Sequence, residues 1–181
     1  MPAPITERLK WLPLLPLSLA CMGCVAHLQE PPAAVSFVRF EKTSDAYKLT
    51  FDSNADFLAA PYTDTLPVVG HWLICALDDD TDFSIDHAFA LRRFMRGITD
   101  SVDRAANGPQ SSFAYSAVLN FRETLDGGSS DRILSKAEVD SLLAGRADIL
   151  CKVVMTIFGY APYYSLTMQV PAKALLNEVD K

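Results

Sequence analysis

Asp78, Asp79, Asp80 and Asp82, with Asp86 close behind, crowd carboxylates into one short stretch of a 181-residue chain. Alternate acids at 78, 80 and 82 have the spacing with which a calcium loop offers oxygen ligands. The stretch departs from that motif where the mechanism is strict. Phe83 stands where a glycine makes the sharp turn, and Phe89 stands where a bidentate Glu closes the coordination shell. Two meanings then remain for the run: a solvated hairpin tip, or a negative surface that docks a basic partner. Histidine is scarce. His71 and His87, the latter beside Asp86, could exchange a proton if the fold brought them to a serine or carboxylate. Nothing in their spacing requires it, and the chain has no Gly-x-Ser-x-Gly elbow, His-Glu-x-x-His helix, phosphate-binding glycine loop or zinc spacing. The residues therefore predict a non-catalytic protein with no cofactor and no metal.

Two further groups carry chemistry of another kind. Cys75 and Cys151 each sit in the middle of an apolar run. In an oxidising compartment they can form a disulfide around a long loop, worth roughly 4 kcal/mol in the chain-entropy picture; as separate thiols they would pack as small apolar groups. The turn Phe158–Gly159–Tyr160–Ala161–Pro162–Tyr163–Tyr164 concentrates rings that strand alternation cannot all bury. Tyr160, Tyr163 and Tyr164 are the candidate anchors for a partner, since rigid rings give contact area at small entropy cost. The alternative is that they cap an open end of a sheet. Arg92, Arg93 and Arg96 form a basic patch expected to pair with the acidic run.

The first thirty residues set the address. Arg8 and Lys10 precede the apolar stretch Trp11 to Ala20, which leads into small residues and two cysteines before polar sequence begins. A charged leader, a short apolar centre and a small-residue exit make an export signal, and the stretch is well short of the roughly 20 residues that span a bilayer. The segment Leu17–Ser18–Leu19–Ala20–Cys21–Met22–Gly23–Cys24 resembles the lipobox of bacterial lipoprotein precursors. That resemblance implies cleavage before a cysteine that is then acylated. Gly23 favours Cys24, while Ala20 allows Cys21. Cleavage before Cys24 also leaves Cys75 and Cys151 as an even pair. Neither Met22 nor Val25 is the Asp that the family uses for inner-membrane retention, so the resemblance points to the periplasmic side of the outer membrane.

Residues 1–23 are thus expected to be a signal peptide, residues 24–34 a lipidated N-terminus and tether, and residues 35–181 one globular domain. Of 16 basic and 22 acidic residues, loss of Arg8, Lys10 and Glu7 with the leader leaves 14 and 21, a formal charge of −7. Such a surface repels phosphate backbones, which argues against nucleic acid as a partner.

Alternation at Val35–Phe40 and Tyr47–Phe51 around the polar Lys42–Asp45 cluster predicts a β-hairpin. Ser53 to Gly70 is broken by prolines, and His71–Leu77 and Ser112–Glu123 have the length and composition of buried strands. Ser135 with Glu138 is a capping box, opening a helix that ends at Gly145. Asp148–Phe158 and Tyr163–Val170 predict a second hairpin, and Pro171 can open a terminal helix. Phe83 to Asp100 is ambiguous; alternation favours a strand through Leu91 that pairs with His71–Leu77, followed by helical or irregular chain. The sum is a mainly β to α+β fold: an antiparallel β-sandwich or one-sided sheet of about seven strands with two short helices. Its expected role is to bind another protein from a membrane anchor, as a periplasmic immunity protein against a secreted toxin or as a subunit of an envelope machine. The alternative is a small ligand- or calcium-binding protein or enzyme.

Overall fold

The computed structural model describes residue 28 and residues 30–56, 68–88, 90–102 and 112–181. The leader, Cys21, Cys24, His27, Phe89 and the prolines at 61 and 67 lie outside these residues. Among the described residues, no helix is long and apolar enough to cross a membrane.

The fold grows from two antiparallel ladders. Strand β1 (Val35–Lys42) turns back through Thr43–Ala46 into β2 (Tyr47–Ser53), with the Thr43 amide bonded to Ala46 O at 2.8 Å. Strand β3 (Val68–Ala76) lies between β4 (Arg93–Ser101) and β8 (Asp148–Ile157). Its residues Leu73 and Cys75 face the main core, while Ile74 and Ala76 face a second, smaller one. Burial on both faces explains why this stretch reads as a continuous apolar run rather than an alternating one.

Strands β5 (Phe113–Leu119) and β6 (Phe121–Leu125) keep a single register against β4, with Ala117 opposite Thr99 and Phe121 opposite Met95. The chain breaks between them at Asn120. There the sheet forks, because β5 pairs onward with β2 while β6 pairs with β7 (Ser130–Ile133). Beside the fork, β4 comes so close to β5 that a Cβ on Gly97 would stand 2.1 Å from the Val118 carbonyl oxygen. Only glycine allows that approach. The main path runs β1–β2–β5–β4–β3–β8–β10, where β9 (Tyr163–Tyr164) and β10 (Met168–Pro171) both pair with β8. The path curls until its ends meet. Ala33, just before β1, accepts a 2.8 Å bond from the amide of Leu166, between β9 and β10.

Three short helices complete the described fold. Helix α1 (Ile85–Ala88) lies over the second core; α2 (Lys136–Leu143) and α3 (Ala172–Val179) pack on the main one. The capping box is formed as expected, with both reciprocal bonds between Ser135 and Glu138, and Gly145 takes φ +77° just past α2. Helix α3 follows Pro171 and buries Ala172, Leu175 and Val179. Glu178 near its end accepts from the Lys42 amide at 3.1 Å, which ties it to β1.

The β-rich, antiparallel class expected from the sequence is the one observed, as a single curled sheet. Two details differ. Residues 83 and 84 are loop and 85–88 one helical turn, and the neighbour of β3 is Arg93–Ser101. Phe94 and Met95 are adjacent, fully buried and committed to different cores, so this strand mimics the i, i+3, i+4 spacing of a helix. The element count among the described residues also rises to ten strand segments and three short α-helices. The expected strands at 112–123 and 163–170 each divide, and β7 is too polar and exposed to announce itself.

Cys75 and Cys151 are direct register partners on β3 and β8, bonded to each other, with Cα atoms 4.0 Å apart and a sequence separation of 76. Both are fully buried. Replacing both with alanine should lower the unfolding free energy by about 4 kcal/mol in urea titration. Thiol reductant should leave the folded chain oxidised until denaturant opens it; prompt reduction under native conditions would contradict the burial.

Candidate functional site

The acidic run is a built loop. Leaving β3, Asp78 Oδ1 accepts the Asp80 amide at 3.2 Å, Asp80 Oδ1 accepts the Asp82 amide at 3.3 Å, and Asp82 Oδ1 accepts the Ser84 amide at 2.9 Å. Three successive side-chain-to-backbone turns replace the ladder bonds that the chain loses on leaving the sheet. Two basic side chains hold the loop from outside. His87 Nε2, in α1, lies 2.6 Å from Asp80 Oδ2, and Arg146 Nη2, just beyond α2, lies 2.8 Å from Asp79 Oδ1. Phe83 is the loop's apolar foot in the second core, with Lys152 Nζ 5.9 Å from its ring centre. The Asp79 side chain is 98 % exposed, and Asp82 and Asp86 also face solvent.

The electrostatics follow from these contacts. The bonded Asp80 carboxylate raises the His87 pKa above its ordinary 6.5, and the Ser84 amide lowers that of Asp82. One oxygen of each of Asp78, Asp80 and Asp82 is committed to an amide, so these side chains turn toward their own backbone instead of converging. Among the described residues, no three His, Cys, Asp or Glu side chains group as a metal site.

The histidines do not meet. His71, near the start of β3, sits with Nδ1 2.8 Å from the buried Thr99 hydroxyl, whereas His87 lies beyond the other end of that strand. The aromatic turn separates in a similar way. Tyr163 is buried; its hydroxyl accepts from the Ala33 amide at 2.6 Å and donates to Pro31 O at 2.9 Å. Tyr164 accepts the Ile85 amide at 2.8 Å, and Tyr160 packs half-buried on the main core. Tyr163 thus holds the end of the N-terminal segment, and Tyr164 holds the start of α1. The ring that projects is Phe158, 74 % exposed. Its signal in the sequence was the strand alternation itself: Ile157 points inward, so the next residue points out.

The basic patch finds a different partner from the one expected. Arg92 and Arg93 reach Glu123, on β6, at 3.8 and 3.1 Å, and Arg132, on β7, pairs with the other oxygen of that carboxylate. Arg132 also bonds both oxygens of Glu138, at 2.6 and 3.0 Å, so the capping box of α2 belongs to the same network. Arg96 instead lies over the Phe94 ring at 5.2 Å. Sequence reasoning missed Glu123 because its partners come from the start of β4 and from β7, brought beside it only by strand pairing. Arg132 holds the Glu123 carboxyl below its usual range, and Arg132 with Ser135 holds Glu138 down to about 2.

The fork contains a cleft of about 250 Å³ lined by Lys42, Tyr47, Phe121, Leu134, Lys136 and Val139. Tyr47 stacks on Phe40 at 5.2 Å and meets Phe121 edge-on at 5.1 Å, while the Lys136 amine is engaged by Asp140 and Asp180.

No protein-family model, curated protein or solved structure matches the chain. The site is therefore interpreted from its own geometry.

Two titrations test these contacts. Because the folded-state pKa of His87 is raised, its pairing contributes fully below pH 6.5 and fades as pH climbs through the higher folded value. A ring titration followed by NMR should give a midpoint above 6.5 that drops back in Asp80→Asn; an unshifted midpoint in the parent protein would dismiss the ion pair. For Glu123 and Glu138 the sign is opposite. Their contribution is complete above about pH 4.5 and is lost as pH falls through the lowered folded values, about 2 for Glu138. Urea midpoints of the parent chain should therefore fall more steeply in acid than those of a Glu123→Gln, Glu138→Gln variant, and parallel curves would argue against the network.

Proposed function

We propose that this chain is a cell-envelope lipoprotein, cut before Cys24 and held by acyl chains at the periplasmic face of the outer membrane. From there it docks another protein through the loop Asp78–Asp82, without catalysis. The partner chemistry it fits is a basic protein surface, and the reading we favour is a periplasmic immunity protein that occupies a secreted toxin. A subunit of an envelope machine would use the same surface.

The observation that carries this reading is the prior ordering of the loop. Its shape is held by three internal amide bonds, Arg146 and His87, so little conformational entropy is left to lose when a partner arrives. Asp79, Asp82 and Asp86 remain turned to water, on a chain whose expected mature charge is −7. Negative charge of this kind speeds encounter with a basic surface and sets orientation. The cleft at the fork supports a second reading, a small ligand. At about 250 Å³ it falls below the roughly 300–1,000 Å³ of ordinary ligand pockets, whereas the cleft beside the acidic loop, lined by Asp78, Asp79, Thr81 and Arg146, holds about 430 Å³ and belongs to the docking surface.

The test exchanges charge while keeping shape. Asparagine still offers an oxygen to the amide two residues on, so Asp78→Asn, Asp80→Asn and Asp82→Asn together should preserve the loop and remove three of its negative charges, leaving Asp79 and Asp86. Affinity capture of the lipidated protein from host membranes should recover a basic partner that the triple variant loses and that dissociates as salt rises. Equal recovery by the variant sinks docking through this loop. A calcium-dependent rise in melting temperature that the variant abolishes would instead make the loop a metal site.

A further inference from the structure

The N-terminal segment joins the body beside one particular turn. Leu28, Glu30 and Pro32 line a single cleft with Ala161, Pro162, Tyr163 and Tyr164, and Ala33 is buried against the Tyr163 hydroxyl. Two large apolar side chains project close by. Phe158 is 74 % exposed and Val69 is 65 % exposed, and both stand where the β3–β8 ladder ends, next to the register pair Val68–Ile157. Singly exposed apolar residues are ordinary on a soluble protein; what marks these is their place. Cys24 lies four residues before Leu28, and four residues reach at most about 14 Å. An acyl chain on Cys24 therefore brings this end of the barrel-like body to within a headgroup layer of the bilayer.

We propose that the pole formed by Phe158, Val69 and the Ala161–Pro162 turn rests on the membrane surface and fixes the orientation of the anchored protein. This rests on the lipid-anchored reading above. The surface is a zwitterionic phospholipid interface, because Glu30 in the same cleft and the overall negative charge oppose approach to anionic headgroups. Aromatic and branched side chains then enter the interfacial zone as a second attachment beside the acyl chains. The orientation serves the acidic loop. Strand β3 begins at this pole and ends at Ala76, two residues before the loop, and its nine residues span roughly 27 Å. The carboxylates are thereby held on the side away from the bilayer, facing arriving protein.

The test uses the full-length, lipidated protein reconstituted into vesicles of phosphatidylethanolamine and phosphatidylcholine, with some acyl chains brominated. Reporter indoles are introduced singly by Phe158→Trp and by Thr81→Trp, and the emission of the parent protein is subtracted. Bromolipid should quench the position-158 signal about twofold or more and leave the position-81 signal unchanged. A vesicle-bound protein whose position-158 indole escapes bromolipid overturns the orientation alone, and protection from aqueous iodide without lipid quenching assigns the pole to a protein contact instead. A product that takes no palmitate label and leaves the vesicles overturns the anchored reading and the orientation with it.

Discussion

The β3–β8 ladder constrains everything else in this fold. From Leu73 to Ala76 it is buried on both faces, by the main core on one side and by Phe83, Ala88 and Leu91 on the other, and the Cys75–Cys151 bond crosses it at a register pair. Where both faces are covered, a slip of one residue in β3 would exchange side chains between the two cores rather than expose an apolar face to water. The bond removes that ambiguity. With the register set, β4 is placed on one side and β9 and β10 on the other, and the sheet can curl from a fixed centre.

Curling needs a corner, and the corner is local. Gly97 lets β4 approach the Val118 carbonyl, and at Asn120 the strand opposite changes its outer partner from β2 to β7. The fork leaves β6 and β7 free to carry the Glu123–Arg132–Glu138 network to α2. A carboxylate shared among three arginines from two strands and a strand entrance is a cross-strand brace: Arg93 on β4 and Arg132 on β7 are its register partners, and Arg132 carries the network on to α2. The closing bond from Leu166 to Ala33 completes the curl and brings the N-terminal segment to the Tyr163 turn.

Function follows from that division into ends. The acidic loop leaves one end of β3, and the N-terminal segment docks at the other. A side chain that seemed available in the sequence, Tyr163, is consumed by docking that segment, and Phe158, part of the same aromatic turn but not among its candidate anchors, is left outside. The loop itself is ordered by short-range bonds that any carboxylate two residues before an amide can make, but its fixed direction comes from His87 in α1 and Arg146 in the turn after α2.

Much of the fold could be read without coordinates. The opening hairpin, the capping box at Ser135, the stop at Gly145 and the helix after Pro171 depend on neighbours a few residues apart, and so did the carboxylate run and its departure from a calcium loop. The cysteines offered only alternatives, a bond or two thiols, because pairing depends on which strands adjoin. The segment from Phe83 to Asp100 was misread for a related reason: periodicity reports one buried face, and Phe94 and Met95 serve two. Glu123, the fork and the separation of the two histidines were invisible in the same way. Local chemistry along the chain determined the elements and the charge they display; the three-dimensional packing alone decided which elements face each other, because contacts between residues seventy positions apart leave no period in the sequence.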